Sequence, residues 1–134
     1  MTLWQKSAVE LAAGLRSKQI SAMEIMESTL ARVAEVNPGL NALVETFPEQ
    51  ALAQALAVDQ KVAAGEKLTP LDGIPTSIKV NVDVAGMSNN NGIPALKDNL
   101  APGDAPVVAN LKKAGAIIIG RTNTPEFSMR GTTD

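Results

Sequence analysis

Apolar and polar residues alternate with the period of an amphipathic helix twice in the first quarter of the chain. Residues 7–10 and residues 21–24 each read Ser-x-x-Glu, which fits the capping box that closes a helix N-terminus. Apolar residues then recur at i, i+3, i+4 and i+7 spacing. They are Ala8, Leu11, Ala12 and Leu15 after the first box, and Ala22, Ile25, Met26, Leu30 and Val33 after the second. The pattern predicts two core-packing helices, the second stopped by the Asn-Pro-Gly at residues 37–39.

The next segment combines a short strand with a third helix. Residues 42–47 are mostly apolar or β-favouring and predict a strand. Pro48 then suits the first turn of a helix, where its missing N–H needs no partner. This helix ends at Gly65, a residue typical of helix C-termini, and residues 65–70 predict a loop. The larger apolar residues of the helix are Leu52, Leu56, Val58 and Val62.

The second half of the chain changes to the two-residue period of a β-strand. Residues 76–84 alternate strictly between an apolar and a polar face and predict one long strand. Residues 86–103 are irregular, and such long loops are more often functional or disordered. We expect Asp104 to cap a short helix that ends at Gly115. The Ala-Ile-Ile-Ile run at residues 116–119 predicts a buried strand.

These elements together predict an α/β fold in which N-terminal helices pack on part of a mixed sheet. Residues 1–66 are expected to be mainly helical. Residues 67–134 are expected to contribute strands, a crossover helix and the irregular loop. The length of 134 residues corresponds to one ordinary domain.

Composition narrows the chemistry that this chain can perform. It contains no His and no Cys, which excludes Ser-His-Asp and Cys-His catalysis, zinc sites built on imidazole or thiolate, and disulfides. The formal net charge of -2 offers no long-range attraction to nucleic acid or anionic membranes. The longest apolar run, residues 116–119, is far too short to span a membrane. By default we expect a cytoplasmic protein, and the residues indicate no metal site.

Residues 115–122 nearly match the phosphate-binding pattern G-x-x-x-x-G-K-[ST], with Arg121 in place of the lysine. That loop works by following a strand and opening a helix, so that backbone N–H groups point at phosphates. Here the four intervening residues are themselves predicted to be the strand. The pattern therefore favours a helix stop followed by a strand over a nucleotide site.

The polar face of the predicted strand at residues 76–84 is the better candidate for chemistry. It carries Ser77, Lys79, Asn81 and Asp83 at intervals of roughly 7 Å. Two interpretations are open on the residues alone. The face is either a solvated surface of an antiparallel strand, or it holds a lysine that acts as a base.

Several blocks of the sequence, in the right order, resemble the amidase signature family. Residues 71–79 read Leu-Asp-Gly-Ile-Pro-Thr-Ser-Ile-Lys, similar to the family's Leu-x-Gly-Ile-Pro-x-x-x-Lys. The resemblance continues through Asn81, Asp83 and the Ala-Gly-Met at residues 85–87. The Asp-Ala-x-Val-Val-x-x-Leu-x-x-Ala-Gly-Ala pattern at residues 104–116 extends it. It ends with Gly-Arg-Thr-Asn at 120–123 and Glu-Phe at 126–127, and covers essentially the whole chain.

The resemblance implies a cofactor-independent amide hydrolase that uses a Lys-Ser-Ser triad. Lys79 matches the triad lysine, whose neutral amine draws a proton through a bridging serine held on a cis peptide bond. A second serine attacks the carbonyl and forms an acyl-enzyme. Both serines lie further downstream in the family, so we expect this chain to be an N-terminal fragment without turnover alone. Ser77 falls at a variable position of the motif and does not replace them.

The resemblance also places Ser128 and Met129 near the substrate-binding pocket for the acyl group, although Met129 equally suits ordinary core filling. The sequence departs from the family at two places. Val80 stands where the family often has Asp, and residues 88–93 lack the usual Thr-Thr and Gly-Ser. These departures bear on which amide is the substrate more than on the chemistry.

Three functional classes are open. The leading one is an amidase fragment whose parent is an amide hydrolase or the amide-hydrolysing component of a glutamine-using amidotransferase. The second is a non-catalytic interaction protein derived from the same scaffold, and the third is a phosphate or nucleotide binder at residues 115–122. We also expect a homo-oligomer, in which a second copy covers residues 116–119 or the apolar face of residues 76–84.

Overall fold

The computed structural model describes residues 2–133 as helices on both faces of a small mixed sheet. The predicted α/β class is confirmed. The helices are α1 (Ala8–Arg16), α2 (Ala22–Leu40), α3 (Pro48–Ala63) and α4 (Pro106–Lys113). The strands are β1 (Leu43–Thr46), β2 (Pro75–Lys79) and β3 (Ile117–Thr122). Short 3-10 turns occupy Leu3–Gln5, Pro94–Leu96 and Glu126–Ser128.

Both predicted capping boxes are present at the N-termini of α1 and α2. In each, the serine side chain accepts from the backbone N–H of the glutamate, and the glutamate side chain accepts from the serine backbone N–H. A third carboxylate reinforces α2, because Asp59 of α3 accepts from the N–H groups of Ala22 at 2.7 Å and Met23 at 3.0 Å. The sequence pattern therefore located both helix starts, and tertiary packing added a cap at one of them.

The predicted stop of α2 at residues 37–39 is wrong, since the helix continues through Pro38 to Leu40. A proline in the last turn removes one hydrogen bond but leaves the remaining turn intact. Asn41 ends the helix instead, in the left-handed conformation with φ of 50°, which asparagine tolerates better than most residues. The Asn37 side chain then bonds both the N–H and the C=O of Leu43 at 2.8 Å and fixes the start of β1.

The buried face of α3 combines two alanines with one valine. Leu56 is 52% exposed, whereas Ala51, Ala55 and Val58 are buried. Small alanines allow α3 to lie close to α2 and β3. Of the four larger apolar residues of this helix, Val58 is buried, and Leu52 and Val62 are partly buried against the same cluster.

Strand β3 lies in the centre of the sheet, whose order is β1-β3-β2. It is antiparallel to β1 and parallel to β2. Ile117 and Ile119 pack against α2 and α3, while Ile118 packs on the other face with Val108 of α4. All of β3 except Thr122 is buried, as predicted for residues 116–119.

The expectation that residues 116–119 or the apolar face of residues 76–84 remain open to a second copy is corrected by this arrangement. Strand β3 is paired on both sides, and Ile78, Val80 and Val84 are 6%, 2% and 1% exposed. Both surfaces are covered within the chain itself.

Strand β2 ends at Lys79, so the predicted long strand over residues 76–84 is too long. The backbone turns there, with the N–H of Val82 donating to the C=O of Lys79 at 3.0 Å. The alternation of buried residues nevertheless persists, because Val80 and Val84 still point inward after the turn. The two-residue pattern therefore predicted the buried positions correctly but overestimated the length of the strand.

The predicted cap at Asp104 is also wrong. Helix α4 has Ala105 at its N-cap, without a side-chain hydrogen bond, and Pro106 in its first turn. Asp104 accepts instead from the N–H of Ala85 at 2.8 Å and pairs with Lys112 Nζ at 2.8 Å. Its carboxylate therefore ties the loop after β2 to the last turn of α4. Among residues 2–133, no helix is long and apolar enough to cross a membrane.

Candidate active site

Lys79 lies at the C-terminal end of β2 and is half-buried. Strands β2 and β3 are parallel, so their C-terminal ends meet at one edge of the sheet, the usual place for a ligand site in α/β folds. The chain that leaves β3 returns over this edge in the turn Glu126–Ser128. Lys79 Nζ donates to Ser128 Oγ at 3.0 Å. The structure therefore brings together two residues that are 49 positions apart.

Ser128 Oγ is a point of convergence for polar side chains. Asn81 Nδ2 donates to it at 3.0 Å, and Thr124 Oγ1 lies 3.0 Å from it. Thr124 is 2% exposed, whereas Ser128 lies at the surface. We call Lys79, Asn81, Thr124 and Ser128 the lysine cluster.

The backbone at Ser128 is held in an uncommon conformation. Phe127 and Ser128 both have positive φ, 46° and 57°, a region that non-glycine residues seldom occupy. The Phe127 N–H donates to the C=O of Asn91, and the Ser128 N–H to the C=O of Pro125, both at 2.8 Å. Such conformations concentrate at functional sites, where surrounding contacts over-determine them.

The long loop predicted at residues 86–103 supports this edge of the sheet. Gly92 has φ of +75°, and a Cβ there would lie 2.7 Å from the C=O of Thr124. Asn89 Nδ2 donates to Asp83 Oδ1 at 2.5 Å and reaches the C=O of Asn81 at 3.4 Å. The loop is therefore packed against both polypeptide segments that carry the lysine cluster.

Arg121 shapes the backbone beneath the lysine cluster. Its side chain is fully buried, and Nη2 donates to the carbonyls of Val80 at 3.0 Å and Val82 at 2.9 Å. A longer contact of 3.4 Å reaches the carbonyl of Lys79. Burial lowers the pKa of Arg121, while the negative charges of Glu45 and Asp83 act in the opposite direction. Arg121 therefore holds the turn that directs Lys79 and Asn81 toward the same hydroxyl.

Sequence reasoning identified part of this site and missed part of it. Lys79 and Ser128 were predicted and are in contact, whereas Met129 is 79% exposed beside them. Ser77 is exposed. Thr124 and Arg121 were not singled out as site residues. Arg121 had a detectable signal, because a charged residue that follows four apolar ones in a buried strand requires internal partners, but Thr124 had none.

The remaining candidate chemistry does not converge on another site. The glycine pattern at residues 115–122 is a helix end followed by β3, not the strand-to-helix loop that binds phosphate. Within residues 2–133 no three His, Cys, Asp or Glu side chains are placed to hold a metal ion. A cleft of about 380 Å³ beside α3 and α4 is lined by Lys61, Lys112 and Ile118 among others, and Lys79 does not line it.

Comparison with known proteins points to one family. The family model described as Amidase matches residues 24–134. An indoleacetamide hydrolase from Bradyrhizobium diazoefficiens is 57% identical over 132 residues, covering 98% of this chain and 25% of that protein. An acylamidase from Rhodococcus erythropolis is 42% identical over 128 residues, covering 96% and 27%. The crystal structure of a bacterial aryl acylamidase of the amidase signature family superimposes with a TM-score of 0.85 at 36% identity, covering 96% and 27%.

The helix-flanked mixed sheet and the superposition at a TM-score of 0.85 show that the chain has part of the fold of the amidase signature enzymes. The chain belongs to the Amidase family. It spans about a quarter of the length of the curated relatives that it matches.

Proposed function

We propose that this chain supplies the N-terminal part of the catalytic domain of an amide hydrolase, with Lys79 as its proton acceptor. The observation that carries the proposal is the position of Lys79. It lies at the C-terminal end of β2, half-buried, among hydroxyl and amide groups. In its deprotonated form, an amine in such a place can act as a general base.

The proposed reaction hydrolyses an amide to a carboxylic acid and an amine or ammonia. Lys79 Nζ accepts the proton of a bridging serine hydroxyl, which in turn takes the proton of a nucleophilic serine. That serine attacks the amide carbonyl, and the proton returns from Lys79 through the bridging serine to the departing nitrogen. The amine or ammonia leaves, and water hydrolyses the acyl-enzyme that remains. The family resemblance assigns both serines to positions downstream of residue 134, so we propose that this chain alone has no turnover.

The substrate that we propose first is a small arylalkyl primary amide such as indoleacetamide. Support comes from the relative named for that activity, which is 57% identical to this chain, whereas a glutamyl-tRNA(Gln) amidotransferase relative from Carboxydothermus hydrogenoformans is 39% identical. Phe127 and Met129 flank Ser128 and are 49% and 79% exposed. They offer an apolar surface beside the lysine cluster against which an aromatic substrate can pack.

The proposal is tested with the full gene product and with the 134-residue chain, using ammonia release from indoleacetamide. We expect Lys79→Ala to lower kcat by at least about 1,000-fold in the full gene product, because the proton then has no acceptor. Lys67→Ala, at an exposed loop position, is the matched control and should retain turnover.

Two results would contradict this assignment. Hydrolysis by the 134-residue chain that Lys79→Ala abolishes would show that the downstream serines are not needed. A full gene product that folds but has no amidase turnover would favour the second class, a non-catalytic interaction protein.

Three further statements are also proposals, and the last two are paired with a measurement. Residues 1–134 are proposed to be the N-terminal part of one domain, with its helical part at residues 1–66. Homo-oligomerisation stays a prediction, although the two surfaces first expected to drive it are covered, and static light scattering tests it. A cytoplasmic location stays a prediction for cell fractionation.

A further inference from the structure

One assignment of donors and acceptors satisfies every hydrogen bond of the lysine cluster. Thr124 Oγ1 lies 3.1 Å from the C=O of Pro125 and donates to it, because a carbonyl oxygen can only accept. The single hydroxyl proton of Thr124 is thereby committed. Its contact with Ser128 Oγ at 3.0 Å must then be one in which Ser128 donates and Thr124 accepts.

The same reasoning fixes the state of Ser128. Its only proton goes to Thr124, which leaves two oxygen lone pairs. Lys79 Nζ and Asn81 Nδ2 each donate to Ser128 Oγ at 3.0 Å, so both lone pairs are occupied. Ser128 therefore accepts a hydrogen bond from Lys79 and has no proton to offer in return.

We infer that Ser128 is a positioning residue that orients the amine of Lys79 for proton transfer. The inference rests on the proposed function of Lys79 as the proton acceptor. A neutral lysine amine has two N–H bonds and one lone pair. Ser128 accepts a hydrogen bond from one of these N–H groups and has no proton to donate to the amine. The lone pair of Lys79 Nζ therefore stays free for an incoming serine hydroxyl.

The proton balance of this step leaves Ser128 unchanged. The bridging serine breaks its O–H bond, and the proton forms a new N–H bond on Lys79 Nζ. Ser128 keeps its proton on the Thr124 side throughout. The ammonium of Lys79 that results still donates to Ser128 Oγ. This contact is then stronger, because hydrogen bonds from a charged donor are stronger than neutral ones.

This role differs from the substrate contact that the family resemblance implies for Ser128. Met129 is 79% exposed and free to meet a substrate, whereas the Ser128 hydroxyl is fully engaged by three neighbours. The two roles predict different kinetics. Loss of a substrate contact raises KM, and loss of a positioning contact lowers kcat.

The test compares Ser128→Ala, Thr124→Val and Thr124→Ser in the full gene product, with indoleacetamide as the probe. We expect Ser128→Ala to lower kcat about tenfold with KM nearly unchanged. Thr124→Val should produce a similar loss, because Ser128 would then be free to donate to the lysine lone pair. Thr124→Ser keeps the hydroxyl and should restore kcat, while Ser128→Ala with Thr124→Val should cost no more than Ser128→Ala alone.

The controls separate this inference from the proposed function. Ser77→Ala removes an exposed hydroxyl from the same strand as Lys79 and should leave kcat unchanged. A rise in KM at constant kcat for Ser128→Ala, or additive losses in the double variant, would overturn the inference and leave Lys79 as the base. Full turnover by Lys79→Ala would instead overturn the proposed function.

A second measurement does not depend on turnover. In the 134-residue chain, limiting acetic anhydride labels lysine amines, and peptide mass spectrometry gives the labelling of Lys79 relative to Lys67. We expect Ser128→Ala to raise this ratio at least about twofold, since the amine loses its acceptor. An unchanged ratio would show that Ser128 does not hold Lys79. Circular dichroism confirms that each variant is folded.

Discussion

At the scale of single residues, Arg121 shows how one buried charge can organise a site that it does not enter. Its side chain is fully buried and donates to carbonyls of the turn after β2. Its Nε and Nη1 atoms have no hydrogen-bond partner within the described residues. Burying these two unpaired nitrogens is unfavourable. The bonds from Nη2 offset this, because without them the buried carbonyls of Val80 and Val82 would have no donor.

Replacing Arg121 with methionine tests this role. We expect Arg121→Met to lower the free energy of unfolding by about 3 kcal/mol, because buried carbonyls lose their donor. Arg16→Met is the matched control. Arg16 also donates to two carbonyls, those of Thr69 and Pro70, but it is exposed, so water replaces it and the loss should stay below about 1 kcal/mol. Urea denaturation measures both values, and equal losses would contradict the account.

A second residue-scale prediction concerns Gly115, which follows α4 with φ of +94°. A Cβ at this position would collide with Thr69 Oγ1 and with Asp72, both of which hold the turn before β2. We expect Gly115→Ala to cost at least about 2 kcal/mol in urea denaturation, the sum of backbone strain and overpacking. Gly65 has a similar φ of +73° with nothing near its missing Cβ. Gly65→Ala should therefore show only the strain, about 1 kcal/mol.

At the scale of elements, α4 is attached to the loop after β2 by a carboxylate rather than by its own cap. Asp104 accepts from Lys112 Nζ and from the Ala85 N–H. The hydrogen bond from Lys112 is the main cause, and the bond from the Ala85 N–H the next, of a pKa of Asp104 below its ordinary value. A carboxylate with a lowered pKa stabilises the folded chain above its unfolded pKa, and this contribution is lost as the pH falls through the folded value.

The pH dependence of Tm measures this contribution. We expect Asp104→Asn to lower Tm near neutral pH. The difference from the unmodified chain should shrink as the pH falls below about 4, the ordinary range of an Asp carboxyl in an unfolded chain. Asp98→Asn removes an equal charge from an exposed position and reports the effect of net charge alone. A difference for Asp104→Asn that stays constant from pH 7 to about pH 3 would contradict the assignment.

At the scale of the whole molecule, the helical first half and the strand-rich second half share one core. Met26 of α2 and Val58 of α3 pack in the same cluster as Ile117 and Ile119 of β3. Strand β1, which comes from the first half, pairs with β3. Neither half can bury its apolar face without the other, so the polar loop at residues 65–70 is not a boundary between independent units.

This shared core predicts a single cooperative unfolding transition. Trp4, the only tryptophan, reports on the first half by fluorescence, with Arg32 4.6 Å from its ring centroid. Circular dichroism reports on helices of both halves. We expect the two urea transitions to coincide. We also expect a chain nicked by protease within residues 65–70 to stay associated until denaturant is added. Separate transitions would contradict the shared core.

Local elements and the burial pattern follow from the order of the amino acids alone. Capping boxes placed α1 and α2, the apolar run placed β3, and the two-residue alternation correctly marked Ile78, Val80 and Val84 as buried. These features depend on neighbours within a few positions, which a pattern records directly. Several motif blocks in the right order, the one around Lys79 among them, predicted the family that the match over residues 24–134 confirms.

Contacts between distant residues, in contrast, are set by the way the elements pack. The turn after Lys79, the passage of α2 through Pro38 and the pairing of Asp104 with Lys112 all depend on partners from other elements. So does the meeting of Lys79 with Ser128 and Thr124. Which hydroxyl donates within the lysine cluster depends on the acceptors near it. Those acceptors come together only when β2 and β3 pair in the folded chain.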